Sequence, residues 1–217
     1  MIAVAFALEF ESVCFCARHD PRLRVGVWLL GAMGAAAALS VKRMLIDTVP
    51  DLLISAGFAG SLQDGLRVGD LVLGQNQSDP KVVAALSLSE RWHTGCVATA
   101  EEILERAEDK KSLGEKTGCL AGDLETARIV EVCAQFGVPV LSVRCISDAV
   151  EDDLPVPAQI LLDARTGRPN PLALFRYLIR HPASVSGFNK LLKNARIAQS
   201  ELARGLEEIL PQLVRMA

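Results

Sequence analysis

Leu124-Glu-Thr-Ala-Arg-Ile-Val-Glu-Val-Cys-Ala-Gln-Phe136, one glycine, then Val138-Pro-Val-Leu-Ser-Val-Arg-Cys-Ile146: a helix-period pattern runs directly into an apolar run of strand length. A strand that is apolar on both faces needs cover on both sides, as in a parallel sheet layered with helices. The alternation extends outward from there. Ile2-Ala-Val-Ala-Phe-Ala-Leu8, Arg24-Val-Gly-Val-Trp-Leu-Leu30, Asp51-Leu-Leu-Ile-Ser55 and Gly69-Asp-Leu-Val-Leu-Gly74 read as strands. The alanine-rich run from Gly34 to Ile46 reads as helix, stopped by Pro50. Thr99 to Ala107 is predicted as a further helix, with Thr99 and Glu102 as a capping box. Beyond Asp148 the character changes. Asp152 to Arg168 is rich in proline and turn formers, and helices are predicted over roughly Pro171 to Arg180 and Ala183 to Val214. The expectation is an α/β fold: a single domain over 1–217, with a mainly parallel or mixed central sheet flanked by helices and a helical C-terminal part over 150–217.

Composition narrows the class. Half of the 217 residues are apolar, enough for a sizeable core and too many for a disordered chain. No apolar run reaches membrane-spanning length, and the N-terminal segment, interrupted by Glu9 and Glu11, reads as a strand rather than a signal peptide. A net charge of −3 argues against nucleic acid as a partner. The six cysteines (14, 16, 96, 119, 133 and 145) form no zinc-ligand spacing, so no metal is expected. Read as reduced thiols, they point to the cytoplasm.

Ligands of α/β sheets gather at the carboxyl ends of strands. Four segments place glycines or acids there: Glu9 and Glu11, Ala56-Gly-Phe-Ala-Gly-Ser61, Gly122-Asp-Leu-Glu125, and Ser147-Asp148. Each also has a plain structural reading. The acids at 9, 11, 123 and 125 suit a first helical turn, Gly57 and Gly60 a tight turn, and Ser147 or Asp148 an N-cap boxed with Glu151.

Taken together, these segments resemble the nucleoside phosphorylase and nucleosidase superfamily. Ile54-Ser-Ala-Gly-Phe-Ala-Gly-Ser-Leu-Gln-Asp-Gly-Leu-Arg-Val-Gly-Asp-Leu-Val72 resembles its glycine-rich segment and the strand that follows. Ala121-Gly-Asp-Leu-Glu-Thr-Ala127 resembles its D-M-E-(S/A)-A motif, and Val138 to Asp148 its P-x-x-x-V-R-x-I-S-D motif. Ala7-Leu-Glu-Phe-Glu11 is similar to the A-M-E-E-E of bacterial methylthioadenosine/adenosylhomocysteine nucleosidases. The matches occur in order over about residues 1 to 150.

The resemblance implies cleavage of the N-glycosidic bond of a purine nucleoside, with adenine the expected base and a 5′-modified ribose. Such cleavage passes through an oxocarbenium-like sugar and needs a proton on N7 of the leaving base. The family pattern gives that proton to Asp148, whose carboxyl must then be kept protonated by burial or a neighbouring charge. It implies that Glu125 holds the ribose hydroxyls and favours the cation, that Leu124 packs under the ribose, and that Glu11 orients or deprotonates the attacking water. Backbone near Ile103 would meet the adenine edge. Gly57, Phe58 and Leu8 complete the expected wall, with Ser147 and Arg144 in support. No cofactor is implied, since a proton and carboxylates suffice.

Departures from the pattern bear on nucleophile and substrate. The superfamily's phosphorylases carry a phosphate-binding Arg where Ser55 stands, which favours water over phosphate. Phe58 replaces a small Ser, Leu8 and Leu124 replace Met, and the segment from Gln75 to Gly95 is short. The tail, from Ser147-Asp-Ala-Val-Glu-Asp-Asp-Leu-Pro through Ile179-Arg-His-Pro182, resembles the hopanoid-associated phosphorylases, which implies adenosylhopane as an alternative substrate and phosphorolysis as an alternative reaction. From Arg165 through Arg196 there are seven Lys or Arg and no acid, and Leu172, Leu174, Phe175, Leu178 and Ile179 lie in the same stretch. That pattern suits a helix lying on an anionic membrane, though it also fits apolar residues packed on the core with solvated basic ones. The partners expected are a nucleoside, a second copy of the chain as homodimer, and peripheral contact with the inner membrane surface. A catalytically silent nucleoside binder is the remaining alternative.

Overall fold

The computed structural model describes residues 1–161, 163 and 169–216. Eight strands form one mixed sheet: β1 Ile2–Phe6, β2 Val25–Leu29, β3 Leu52–Ser61, β4 Leu71–Gly74, β5 Trp92–Gly95, β6 Val97–Thr99, β7 Ala121–Asp123 and β8 Val140–Asp148. The order β2-β1-β3-β8-β4-β5 is parallel across the first four strands, as the apolar runs predicted. β4 then runs antiparallel to β8 and parallel to β5. The long β3 continues past the others, and its end pairs antiparallel with β7, which pairs parallel with β6.

Period-two alternation sorts β1 between two layers. Ile2, Val4 and Phe6 face one core with Phe15 of α1 (Glu9–Arg18) and Leu202, Leu206 and Ile209 of α8 (Ser184–Val214). The small Ala3 and Ala5 face the other, where Ala37, Val41 and Leu45 of α2 (Gly34–Asp47) approach closely beside Ile129 and Cys133 of α5 (Thr126–Gln135). Cys133 and Cys145 are buried as expected, and burial pushes the Cys133 thiol up to about 12. The other helices are α3 (Pro80–Ala84), α4 (Ala107–Thr117), α6 (Ala158–Leu161) and α7 (Pro171–Arg180). The two C-terminal helices fall within a residue of their predicted bounds, but Arg165 and Arg168 of the basic stretch lie outside the described residues.

Three local readings are corrected. Thr99 ends a strand instead of capping a helix, and the helix begins at Ala107, where the predicted one ended. The Thr99 hydroxyl is engaged across the sheet, donating to Asp123 Oδ1 at 2.7 Å, while Ala100 N–H binds the Asp123 carbonyl. Tertiary pairing overrides the local capping signal. Ser147 and Asp148 likewise end β8, and the capping box with Glu151 does not form because no helix starts there. Cys96 and Cys119, read as reduced, form a disulfide at the entry to the β6–β7 pair. The inference of a cytoplasmic location loses its support from reduced thiols. Sequence separation hid the pair; parallel pairing of β6 with β7 brings the cysteines together.

The junction of β3, β7, β8 and α5 is held by one buried cation. Arg144 Nε donates to Asp123 Oδ2 at 2.9 Å, Nη1 to the Ser55 and Val143 carbonyls at 2.8 Å, and Nη2 to Ser55 Oγ at 2.9 Å and to Thr126 Oγ1. Thr126 Oγ1 in turn donates to Asp123 Oδ2. At the far end of β3, α4 packs so closely that a Cβ on Gly114 would lie 2.2 Å from the Leu62 carbonyl oxygen. That contact needs glycine.

Replacing Arg144 with Met is expected to cost roughly 3–5 kcal/mol in urea unfolding, because Asp123 stays buried without its cation. Adding Asp123→Asn to that variant should restore part of the loss, whereas strict additivity of the two substitutions would contradict the coupling.

Candidate active site

The carboxyl ends of β1, β3 and β8 open on the same side of the sheet, and the β6–β7 pair folds over that side. A cleft of about 200 Å³ results, lined among others by Leu8, Glu11, Phe58, Ile103, Leu124, Glu125, Ser147 and Asp148. It adjoins a second cavity of about 500 Å³ that shares Met33, Glu102, Ile103 and Leu124 in its wall. Small-molecule sites commonly span ~300–1,000 Å³. Apart from Gly57 and the supporting Arg144, every residue of the implied site lines this cleft. Gly57 stands just behind it, where a Cβ would meet Glu11 Oε1 at 3.0 Å, so glycine there leaves room for the carboxylate.

Glu11 is the third residue of α1 and reaches back to its start, Oε2 accepting from Leu8 N–H at 2.9 Å. Oε1 accepts from Phe58 N–H, also at 2.9 Å, which ties the helix to β3. Burial raises the Glu11 carboxyl above its ordinary range; the two N–H bonds and Arg144 oppose the rise, and Asp123 adds to it. Glu125 Oε1 accepts from Gly34 N–H at 3.3 Å. Its carboxyl is pushed up to about 7, first by burial and then by the charges of Asp123 and Glu11. Burial thus favours the protonated form of both carboxyls, and Glu125 exchanges its proton near neutral pH. Phe58 stands edge-on to Phe10, with ring centroids 5.5 Å apart.

Asp148 has a different environment from the one expected. Burial or a like charge was to keep it protonated; instead the Lys110 ammonium of α4 binds Oδ2. Ser147 Oγ donates to Oδ1 at 2.7 Å. Lys110 is 97 % shielded from solvent and also donates to the Ala149 carbonyl at 3.1 Å and the Asp152 carbonyl at 2.8 Å. Sequence reading missed Lys110, since Glu-Asp-Lys-Lys looks like a solvated helix face. Its only signal was Gly114 four residues on, on the same inward face. Met33, Glu102 and Leu154 were also missed as lining residues. Among the described residues of the lining, Lys110 is the one side-chain cation, against five carboxylates.

Comparison with known proteins points to the same kind of fold. A family model described as "Phosphorylase superfamily" matches residues 74–180. The 5′-methylthioadenosine/S-adenosylhomocysteine nucleosidase of Shewanella halifaxensis is 29% identical over 157 residues, covering 57% of this chain and 68% of the relative. The same nucleosidase from S. pneumoniae, solved with a transition-state inhibitor, superposes with a TM-score of 0.65 at 19% identity, covering 96% of this chain and 99% of that one. The futalosine hydrolase of Helicobacter pylori superposes at 0.59 and 16% identity, covering 95% and 97%. By sequence match and fold together, the chain resembles the phosphorylase superfamily, of the nucleoside phosphorylase/nucleosidase type.

Proposed function

We propose that this protein is a purine nucleosidase that releases adenine from a 5′-modified adenosine by hydrolysis. The observation that carries the reading is the meeting of Glu11, Glu125 and Asp148 in one cleft, each from a different strand end. Similarity to nucleosidases named for methylthioadenosine and adenosylhomocysteine supports adenine as the base. A futalosine hydrolase shares the fold, so the 5′ substituent is not fixed by fold.

In this reading Asp148 delivers the proton to N7 and Glu125 holds the ribose hydroxyls. As the sugar becomes cationic, its charge develops beside the carboxylates of Glu125 and Asp123 in a site where water is scarce. Glu11, fixed by two backbone N–H groups, orients the water and accepts its proton. Leu124 and Phe58 pack on the sugar, Leu8 and Ile103 complete the wall, and Ser147 steadies Asp148. Water is favoured over phosphate because a dianion would enter beside Glu11, Asp123 and Glu125. The homodimer belongs to the same reading, and the exposed Leu39 and Ile46 on the outer face of α2 are available for it.

The lipid-linked substrate has one specific observation in its favour. Leu172, Phe175 and Ile179 are about 60% exposed on one face of α7, with Arg176 and Arg180 beside them. No helix of the described residues is long and apolar enough to cross a membrane, so contact here would be at the surface. An amphipathic basic helix binds anionic lipid through buried apolar area and charge together.

Four outcomes are expected. Chromatography should detect adenine released from methylthioadenosine, adenosylhomocysteine or a 5′-alkyl adenosine without phosphate. Asp148→Asn should slow that release by about 10²–10⁴-fold while nucleoside affinity persists; adenosine binding with no release by the native protein would instead identify a silent binder. Glu125→Gln should abolish most activity yet stabilise the fold at alkaline pH. A carboxyl raised to about 7 contributes stability below its unfolded value near 4.5 and loses it as pH rises through 7. The variant should therefore gain roughly 2–4 kcal/mol over the native protein between pH 5 and pH 8; equal stabilities at both pH values would contradict the environment assigned to Glu125. Finally, anionic vesicles at low salt should sediment the protein, and Phe175→Ser should weaken this; no sedimentation would remove the lipid reading.

A further inference from the structure

The purine-nucleosidase reading leaves a chemical difficulty at Asp148. The group assigned to give a proton to N7 is paired with a buried ammonium, and a neighbouring cation favours the carboxylate that has no proton to give. All three ammonium hydrogens of Lys110 are used: on Asp148 Oδ2, on the Ala149 carbonyl and on the Asp152 carbonyl. The Asp152 carboxylate is engaged elsewhere, with Lys190 Nζ at 2.6 Å. Lys110 therefore has one ionisable partner within reach, and that partner lines the cleft.

We propose that Lys110 is the positioning residue that stores the catalytic proton and passes it to the leaving base through Asp148. The step balances as follows. The N–H bond of Lys110 directed at Oδ2 breaks as an O–H bond forms on Asp148. That O–H bond then breaks as N7–H forms on the purine, and the C1′–N9 electron pair departs with the base. Asp148 returns to carboxylate. Lys110, now a neutral amine, keeps its two remaining N–H bonds to the Ala149 and Asp152 carbonyls. The water that adds to C1′ gives its proton to Glu11, which releases it to solvent, and solvent restores the ammonium. No other reactant is needed.

Magnitudes decide when the transfer is feasible. In water lysine and aspartate differ by roughly 6 pK units, so the ionic pair dominates. Removing water from such a pair disfavours both charged forms and so narrows that difference. Lys110 is already dry, whereas the Asp148 side chain is still 27% exposed. Asp148 lines the cleft, so a purine bound against it would cover part of that exposure. In the proposed relay it is the covering of Asp148 by the base that lets the proton move from Lys110. Gly60 permits the close approach, because a Cβ there would lie 3.0 Å from Oδ2.

The test compares Lys110→Met and Lys110→Arg with the native protein on two ribosides. Methylthioadenosine needs a proton on its leaving group; p-nitrophenyl β-ribofuranoside does not, since nitrophenolate leaves unaided. Lys110→Met should lose at least about a hundredfold in kcat on methylthioadenosine, the scale of a lost general acid. It should change the nitrophenyl riboside rate by less than about threefold. Lys110→Arg guards against misfolding. It keeps the ion pair, but a guanidinium does not surrender its proton, so it should retain the native melting temperature and KM while remaining as slow as the Met variant on methylthioadenosine. Recovery of rate by Arg, or equal losses on both ribosides, would overturn the relay. Native protein that cleaves neither riboside would instead overturn the nucleosidase reading beneath it.

Discussion

The buried pair of Arg144 and Asp123 is the interaction from which the cleft takes its form. A guanidinium removed from water is costly unless all its donors find acceptors, and here they do so on β3, β7, β8 and α5 at once. The same contact that satisfies the charge fixes where the β6–β7 pair meets the end of β3. Without that closure the cleft would lack Gly122, Asp123, Leu124 and Glu125 from its wall. The pair also sets the charge of the site. Asp123 helps raise Glu125 and Glu11, and Arg144 works against both rises.

An electrical gradient runs along the cleft. Glu11, Asp123 and Glu125 occupy one end, over the parallel strands, and the Lys110–Asp148 pair the other, at the tip of β8 beneath α4. A sugar becoming cationic and a base gaining a proton make opposite demands, and the proposed reaction places each where the side chains suit it. The acidic end is inhospitable to a phosphate dianion, in keeping with water as the nucleophile. Rigid backbone holds both ends: N–H groups of Leu8, Phe58 and Gly34 hold the two glutamates, and main-chain carbonyls hold Lys110.

Much of this could be read from the chain. Strongly periodic segments declared themselves, as with α2, α5, α7 and α8, and the apolar runs gave β1, β3 and β8 in parallel. Glu11, Glu125 and Asp148 were legible because strand ends collect ligands and because each lies inside a motif. Where the reading failed, a distant partner decided. Thr99 has the local pattern of a cap, yet its hydroxyl is used by Asp123, twenty-four residues away. Cys96 and Cys119 look like isolated thiols until β6 lies beside β7. Lys110 sits in a run of charges whose solvated appearance is correct for Lys111 and wrong for Lys110, because only the docking of α4 through Gly114 turns one of them inward.

The sequence by itself determined the layered α/β plan, the elements that carry the acids and the family resemblance. Those depend on local periodicity and on short motifs, which a chain displays without folding. The tertiary structure alone decided how the acids are charged and what stands beside them: the shared burial that raises Glu11 and Glu125, and the ammonium placed on Asp148. Proton affinity depends on solvation and on neighbours within a few ångströms, and neither exists until segments far apart in the chain are brought together.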